Sequence, residues 1–256
     1  MLQPQEAVLV CVSGGKDSLV LWNVLHELGY KTKAMYIDLG LGEYSLLSKQ
    51  KVFDMAKKMS QEPVVVSLKD KGFDILAGAK AKHRPACSVC GTAKRHHFNR
   101  TAFEEGLQVV ATGHNLDDEA SRLLGNVLRW QTNYLAKQSP VLPSESEHTP
   151  KKVKPLVKLT EREVAVFAFL EGIDYILEEC PYAKGATSIT YKLLLGQLEE
   201  KMPGTKHAFY FGFQEHLSKF SQAEAPKGEL KTCEVCGQDS FEETCGFCRL
   251  LGQLSP

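Results

Sequence analysis

No run of apolar residues in this chain approaches the length of a membrane span, which excludes a helical membrane protein. The amino terminus lacks the basic, apolar and small-residue succession of a leader, so a cytoplasmic protein is expected. Net charge is also missing. Thirty-one basic side chains balance 31 acidic ones, and composition alone therefore carries no signal for a polyanionic partner. Internal repeats and low-complexity tracts are absent, which excludes repeat architectures. What remains is 256 residues with 43% hydrophobic content, enough for a sizeable core in one α/β domain with small appendages.

Val8 to Val12 is a short, Val-rich run closed by a glycine pair, the pattern of a buried strand. Leu19, Leu21, Trp22, Leu25 and Leu28 then mark one face of a helix that Gly29 would stop. Ser13-Gly-Gly-Lys-Asp-Ser18 thus lies between a strand's carboxyl end and a helix amino terminus. Free backbone N–H groups and the helix dipole favour an anion there. Gly14 and Gly15 let phosphate oxygens approach the backbone, while Ser13, Lys16 and Ser18 add side-chain donors. The spacing is not that of a Walker loop.

The same alternation continues along the chain. Strands are expected at 33–39, 63–68 and 107–113, and helices at 46–59, 92–105 and 116–130. Such a series predicts a parallel sheet covered by helices on both faces, with ligands at the strands' carboxyl ends where the order reverses. Gly113-His-Asn-Leu-Asp-Asp118 follows one of those ends and should face the same crevice as the phosphate loop. Pro140, Pro143 and Pro150 predict an exposed loop over 137–154, over or beside the site. A helix over 159–173 is signalled by Thr160 and Glu163 as a capping pair, another is expected over 188–202, and 225–231 reads as a linker. Lys80, Lys82, Arg84, Lys94, Arg95 and Arg100 lie in a stretch without acids, and Lys151, Lys152, Lys154 and Lys158 form a second basic group. Charge runs are commonly solvated faces, but two of them flanking a phosphate site favour a polyanionic substrate.

The cysteines divide into two groups. Cys233-x-x-Cys236 and Cys245-x-x-Cys248 have the spacing of a four-thiolate zinc knuckle, closing a loop too small to build its own core. Glu229, Glu234, Asp239, Glu242 and Glu243 surround it, so a structural clip or protein contact is expected rather than a grip on phosphates. Cys87-Ser-Val-Cys90 has no second pair beside it and precedes the expected helix start. It could be a redox dithiol, half of a zinc site completed by Cys180 with His83 or His96, or most of an iron–sulfur site with Cys180 as third ligand. Cys11, in the first strand, reads as a small buried apolar residue.

With these residues assembled, the chain resembles the tRNA 2-thiouridine synthetase family of PP-loop (N-type) ATP pyrophosphatases. The resemblance is carried by Ser13–Ser18, Ile37–Ser45, Cys87-Ser-Val-Cys-Gly-x-x-Lys-Arg95, Gly113–Ala120, Lys154-Pro-Leu156, Cys180-Pro-Tyr182 and the terminal finger. It implies an adenine nucleotide alpha hydrolase-like domain over 1–224 and a four-cysteine zinc finger over 225–256. ATP with Mg2+ would be held by Ser13, Gly14, Gly15, Lys16, Asp17, Ser18, Asp38, Gly113 and His114. A [4Fe-4S] cluster would sit on Cys87, Cys90 and Cys180, and Lys94 with Asp117 or Asp118 would be catalytic. The implied reaction adenylates the uridine C2 carbonyl of a tRNA and replaces its oxygen with sulfur from a ubiquitin-like thiocarboxylate carrier or free sulfide, with a homodimer as the assembly to test. A cysteine/histidine zinc module common before the first strand in that family has no room in residues 1–6 here. The rival readings are a 2-thiocytidine-type thiolase and a non-catalytic, zinc-stabilised RNA-binding or sulfur-shuttling adaptor.

Overall fold

A computed structural model of the chain describes residues 1–183, 187–221 and 229–254. The expected domain boundary at 224/225, and most of the expected linker, lie outside the described residues. Strands β1 (Ala7–Val12), β2 (Lys31–Asp38), β3 (Val64–Ser67), β4 (Val109–Thr112), β5 (Val141–Leu142) and β6 (Lys151–Val153) form one sheet in the order β3-β2-β1-β4-β6-β5. All neighbours are parallel except β5, which runs antiparallel to β6. The helices are α1 (Lys16–Glu27), α2 (Glu43–Lys58), α3 (Ile75–Lys82), α4 (Ala86–Glu104), α5 (Leu116–Leu128), α6 (Thr132–Leu135), α7 (Glu161–Leu170), α8 (Thr187–Lys201), α9 (Thr205–Glu215), α10 (Ser218–Ser221) and α11 (Gly246–Gly252). A small hairpin, β7 (Lys231–Thr232) with β8 (Asp239–Ser240), opens the cysteine finger. No described helix is long and apolar enough to cross a membrane.

Burial on both faces explains the Val-rich strands. Val8 and Val10 pack with Leu19, Trp22 and Leu25 on one side, while Leu9 and Met35 join Leu68, Val89 and Ala93 on the other. The chain order reverses between β1 and β4, with β2 and β3 on one side of β1 and β4 and β6 on the other. Both the phosphate loop and residues 113–118 leave the sheet at that crevice, where open α/β sheets bind ligands.

Several expectations need correction. The 137–154 segment is not a free loop: its ends supply β5 and β6, and Val153 is fully buried. Its prolines lie between or beside short strands rather than within them, as an edge tolerates. The second basic group is dispersed with it. Lys151 pairs with Glu6 (2.8 Å), and Lys154 turns inward to Glu119 (2.6 Å). The Cys87/Cys90 pair does not precede a helix; it occupies the first turns of α4, which starts directly after Pro85. Helices α3 and α9 carry no clear periodicity signal, while the Thr160/Glu163 capping box closes in both directions (3.2 and 2.7 Å).

The Glu119–Lys154 pair is the most deeply buried ion pair described, with Gln138 also donating to Glu119 (3.3 Å). Removing one partner strands a charge in the core. Lys154→Met is expected to cost about 3–5 kcal/mol in urea denaturation, and adding Glu119→Leu should recover most of that loss.

Candidate functional site

The loop after β1 is held in one shape by its own serines. Ser13 N donates to Ser18 Oγ (3.0 Å), and Ser18 Oγ donates to the Gly15 carbonyl (2.9 Å). Gly14 has φ +77°, and a Cβ there would lie 2.3 Å from the Ser48 carbonyl oxygen, so no other residue fits. Gly15 caps α1 without a side-chain acceptor, leaving first-turn N–H groups facing the crevice. Lys16 Nζ reaches Asp17 (2.8 Å) and approaches Glu161 (3.9 Å).

Residues 113–118 close over this loop. A Cβ on Gly113 would be 2.8 Å from the Asp17 carbonyl group, so glycine is required for the two turns to pass. Asn115 Nδ2 donates to Asp17 Oδ1 (3.0 Å), and Asn115 with Asp118 forms the capping box of α5. His114 Nδ1 meets Thr112 Oγ1 (2.8 Å), and burial lowers its imidazole pKa, with Arg122 adding to the effect.

The two aspartates separate. Asp117 is buried, forms an ion pair with Lys206 of α9 and accepts from the Glu161 amide (2.7 Å). It ties three helices together, α5 to α7 and α9. Asp118 faces a cavity of about 350 Å3 whose wall includes Ser13, Gly15, Asp17, Lys94 and His114. Burial pushes the Asp118 carboxyl upward, but Lys192 of α8, 2.6 Å away, outweighs it and holds the group below its ordinary range. Lys192 also donates to Glu161 (3.1 Å). Neither Lys192 nor Lys206 carries a local sequence signal. Both reach the site from helices more than 70 residues downstream of Asp118, which only the packing of α8 and α9 on α5 reveals.

A second cavity of about 310 Å3 adjoins the first, and Cys87, Cys90 and Cys180 all line it. Cys87 Sγ lies 3.3 Å from the Tyr182 carbonyl oxygen, and burial raises the Cys90 thiol above its usual range despite the nearby Lys94. Lys94, Cys11, Ser13 and Phe98 belong to the walls of both cavities. Asp38 does not line either one; its carboxylate accepts from the Gly40 amide (3.0 Å). His83 ends α3 in a left-handed conformation, and His96 faces the finger, so neither lines the cysteine cavity.

Among the described residues, the four finger cysteines are the set whose ligand atoms converge around one point, all within 4.8 Å of one another. Backbone N–H groups of Cys245 and Cys248 point at Cys233 and Cys245 sulfurs (3.2 and 3.5 Å). The finger is packed against α4. Phe247 stacks on His96 with ring centroids 4.2 Å apart and meets Phe73 at 5.0 Å. Burial drives the His96 pKa down to about 3 and that of His97 to about 4, so both rings are neutral.

Residues 2–184 match the family described as the PP-loop domain. The chain is 44% identical over 253 residues to the tRNA-5-methyluridine(54) 2-sulfurtransferase of Pyrococcus horikoshii, spanning 98% of this chain and 80% of that one. It is 47% identical over 254 residues to the protein of that name from Thermus thermophilus, with 98% and 78% covered. Among solved structures it is similar to the U34-tRNA thiolase NcsA from Methanococcus maripaludis with its [4Fe-4S] cluster. That similarity has a TM-score of 0.78 at 27% identity and covers 92% of this chain and 80% of that one.

The Gly113 contact gives a direct test of the crevice. Gly113→Ala is expected to weaken binding of a non-hydrolysable ATP analogue by at least about tenfold in calorimetry, equivalent to about 1.4 kcal/mol. Gly196→Ala, whose added Cβ meets nothing within 4 Å, should leave that affinity unchanged.

Proposed function

Because the chain belongs to the PP-loop family, among its tRNA 2-thiolation members, we propose that it is an ATP-dependent tRNA sulfurtransferase that adenylates a uridine C2 carbonyl and replaces its oxygen with sulfur. The observation that carries this reading is the wall shared by the two cavities: Lys94 borders the phosphate crevice on one side and the three cysteines on the other. A base activated in the first cavity is then one side chain away from a sulfur source in the second.

The residues divide the work. Gly14, Gly15 and the first turn of α1 receive the phosphates of ATP, and Ser13, Lys16 and Ser18 surround them. Asp17, the carboxylate within the loop, would hold Mg2+ and is kept in place by Asn115. Asp118, kept ionised by Lys192, accepts the uracil N3–H and so shifts electron density toward O2 as that oxygen attacks the α-phosphorus. Pyrophosphate leaves toward the backbone N–H groups and Lys16. Lys94 neutralises the adenylate oxygens and the incoming sulfide-level sulfur in turn. As the C2–S bond forms the C2–O bond breaks, AMP leaves with the oxygen, and Asp118 returns the proton to N3. Asp117 is assigned to positioning, since both its oxygens are engaged inside the fold.

Cys87, Cys90 and Cys180 fit a three-cysteine cluster site: all are free, they share one cavity, and they are not gathered around a single point as the finger thiols are. A [4Fe-4S] cluster bound there supplies a site able to hold sulfur for transfer. The finger fits zinc. Tetrahedral coordination at about 2.3 Å requires sulfurs about 3.8 Å apart, and Cys236 and Cys245 are 3.8 Å apart. The free thiols suit the reducing cytoplasm, where a thiocarboxylate carrier or sulfide would deliver sulfur and a homodimer is open to direct measurement.

Anaerobic purification with metal analysis tests the assignment. About four irons and one zinc per chain are expected, with the iron lost and the zinc kept in Cys180→Ala. Two zincs and no iron after reconstitution would remove the cluster from the reaction. Lys94→Ala should bind the ATP analogue yet incorporate no sulfur into tRNA, read by mass spectrometry of its nucleosides; appearance of 2-thiocytidine instead of 2-thiouridine with the unaltered enzyme would favour the cytidine rival.

A further inference from the structure

A third cavity, of about 410 Å3, lies between α5 and α8. His114 and Asp118 line both this cavity and the phosphate crevice, so the two share a wall. Its wall carries Arg122, Arg129 and Lys192, and Asp118 is its one carboxylate. Lys192 is already committed to Asp118. Arg122 makes only long contacts, 3.6 Å to Glu119 and 3.4 Å to His114. The Arg129 backbone N–H caps α5 by donating to the Val127 carbonyl, and its side chain has no hydrogen bond or ion pair among the described residues. Arg95 of α4, also without an ion pair among them, lies close enough to Arg122 that burial and that second guanidinium together lower its pKa. Three cations thus face one carboxylate on this wall, and the Arg129 side chain is left without an ion pair among the described residues.

Aromatic groups adjoin it. Tyr191 lines the cavity, and the residues after Arg129 present Trp130 and Tyr134 at 74% and 65% exposure. Trp130 occupies the position after the α5 cap at φ +48°, a left-handed conformation in which glycine is usual and a bulky residue is strained. Most of the ring is left in solvent. An exposed ring held on a strained backbone beside the unpartnered Arg129 guanidinium and the loosely paired Arg122 matches what a nucleic-acid strand requires, stacking platforms set along a cationic track.

Building on the thiolation reading, we propose that the cavity between α5 and α8 binds a single-stranded segment of the RNA substrate, with phosphates on Arg122 and Arg129 and a base against Trp130. A strand seated there passes His114 and Asp118 and delivers its neighbouring nucleotide to the ATP crevice. An acidic peptide could use the cations, but it would have no use for Trp130.

The test is fluorescence anisotropy with the full-length holoprotein and a labelled, unmodified tRNA transcript over a range of salt concentrations. Arg129→Glu should weaken binding by about tenfold or more and make the log–log salt slope shallower by about 0.7 for each phosphate it no longer engages. Trp130→Gly should weaken it by about fivefold or more because the stacking platform is removed, while its melting temperature stays level or rises because glycine suits the left-handed position. Both variants should bind the ATP analogue as the unaltered chain does, which shows that they are folded. Undiminished RNA binding in both would overturn this site while leaving tRNA thiolation standing. Failure of the unaltered holoprotein to bind the transcript, with ATP still bound, would overturn the thiolation reading and this site with it.

Discussion

Where β1 and β4 leave the sheet, their two turns pass in backbone contact, with Gly113 against the carbonyl of Asp17 and the amide of Ser18. Every other feature of the crevice depends on that approach. It brings Asn115 within reach of Asp17, and the same asparagine caps α5 through Asp118. The hydrogen bond that orients the phosphate loop's carboxylate and the one that starts the next helix therefore share a single side chain. Gly14 repeats the arrangement on the other flank, pressed against Ser48 of α2 and pinned by the Ile176 amide at 2.9 Å. A loop fixed by neighbours on both sides presents its N–H groups without reorganising when charge develops on a leaving pyrophosphate.

Consecutive residues on a helix diverge by about 100°, and Asp117 and Asp118 show what that divergence does. One turns into the fold and the other into the cavity. From sequence the pair cannot be divided, because its division is made by Lys206 and Lys192, which arrive on α9 and α8. The pairing of each with a lysine also differs in consequence. The Asp117 ion pair joins helices and leaves no oxygen for substrate, whereas the Asp118 pair lies on the cavity wall, where Lys192 lowers the carboxyl pKa against the upward push of burial.

What is legible in the sequence follows the same division between local and distant causes. The Val-rich strand, the glycine pair and the apolar face of α1 are set within a few residues, as is the Thr160 capping box, and all are readable. The β5–β6 edge is not, because strands of two and three residues flanked by proline have no periodicity to detect. The inward turn of Lys154 is equally hidden. A lysine in a basic group reads as solvated until a buried carboxylate from elsewhere, here Glu119, is seen to face it. The start of α4 escapes a pattern reading although Pro85 marks it, since Cys-Ser-Val-Cys is a weak helix former and the helix is held instead by what packs around it.

That packing also explains the finger's place in the fold. Cys87, Cys90, Gly91, Lys94 and Phe98 follow one another at helical spacing and face the cysteine cavity. Val89 and Ala93 face the sheet, and His96 and His97 face Phe247 of the finger. With three faces engaged, α4 cannot turn about its axis without breaking one of these contacts. The rings of His96 and His97 are neutral at ordinary pH, so they pack against Phe247 as apolar surfaces and add no charge beneath the cavity. The finger is acidic and turns Asp239 toward Thr149 at 2.6 Å, which suits a brace and not a nucleic-acid grip. In the thiolation proposed above its effect would therefore be mechanical. By closing the far side of α4 it fixes the rotation of the helix, and with it the direction in which Lys94 points between the two cavities.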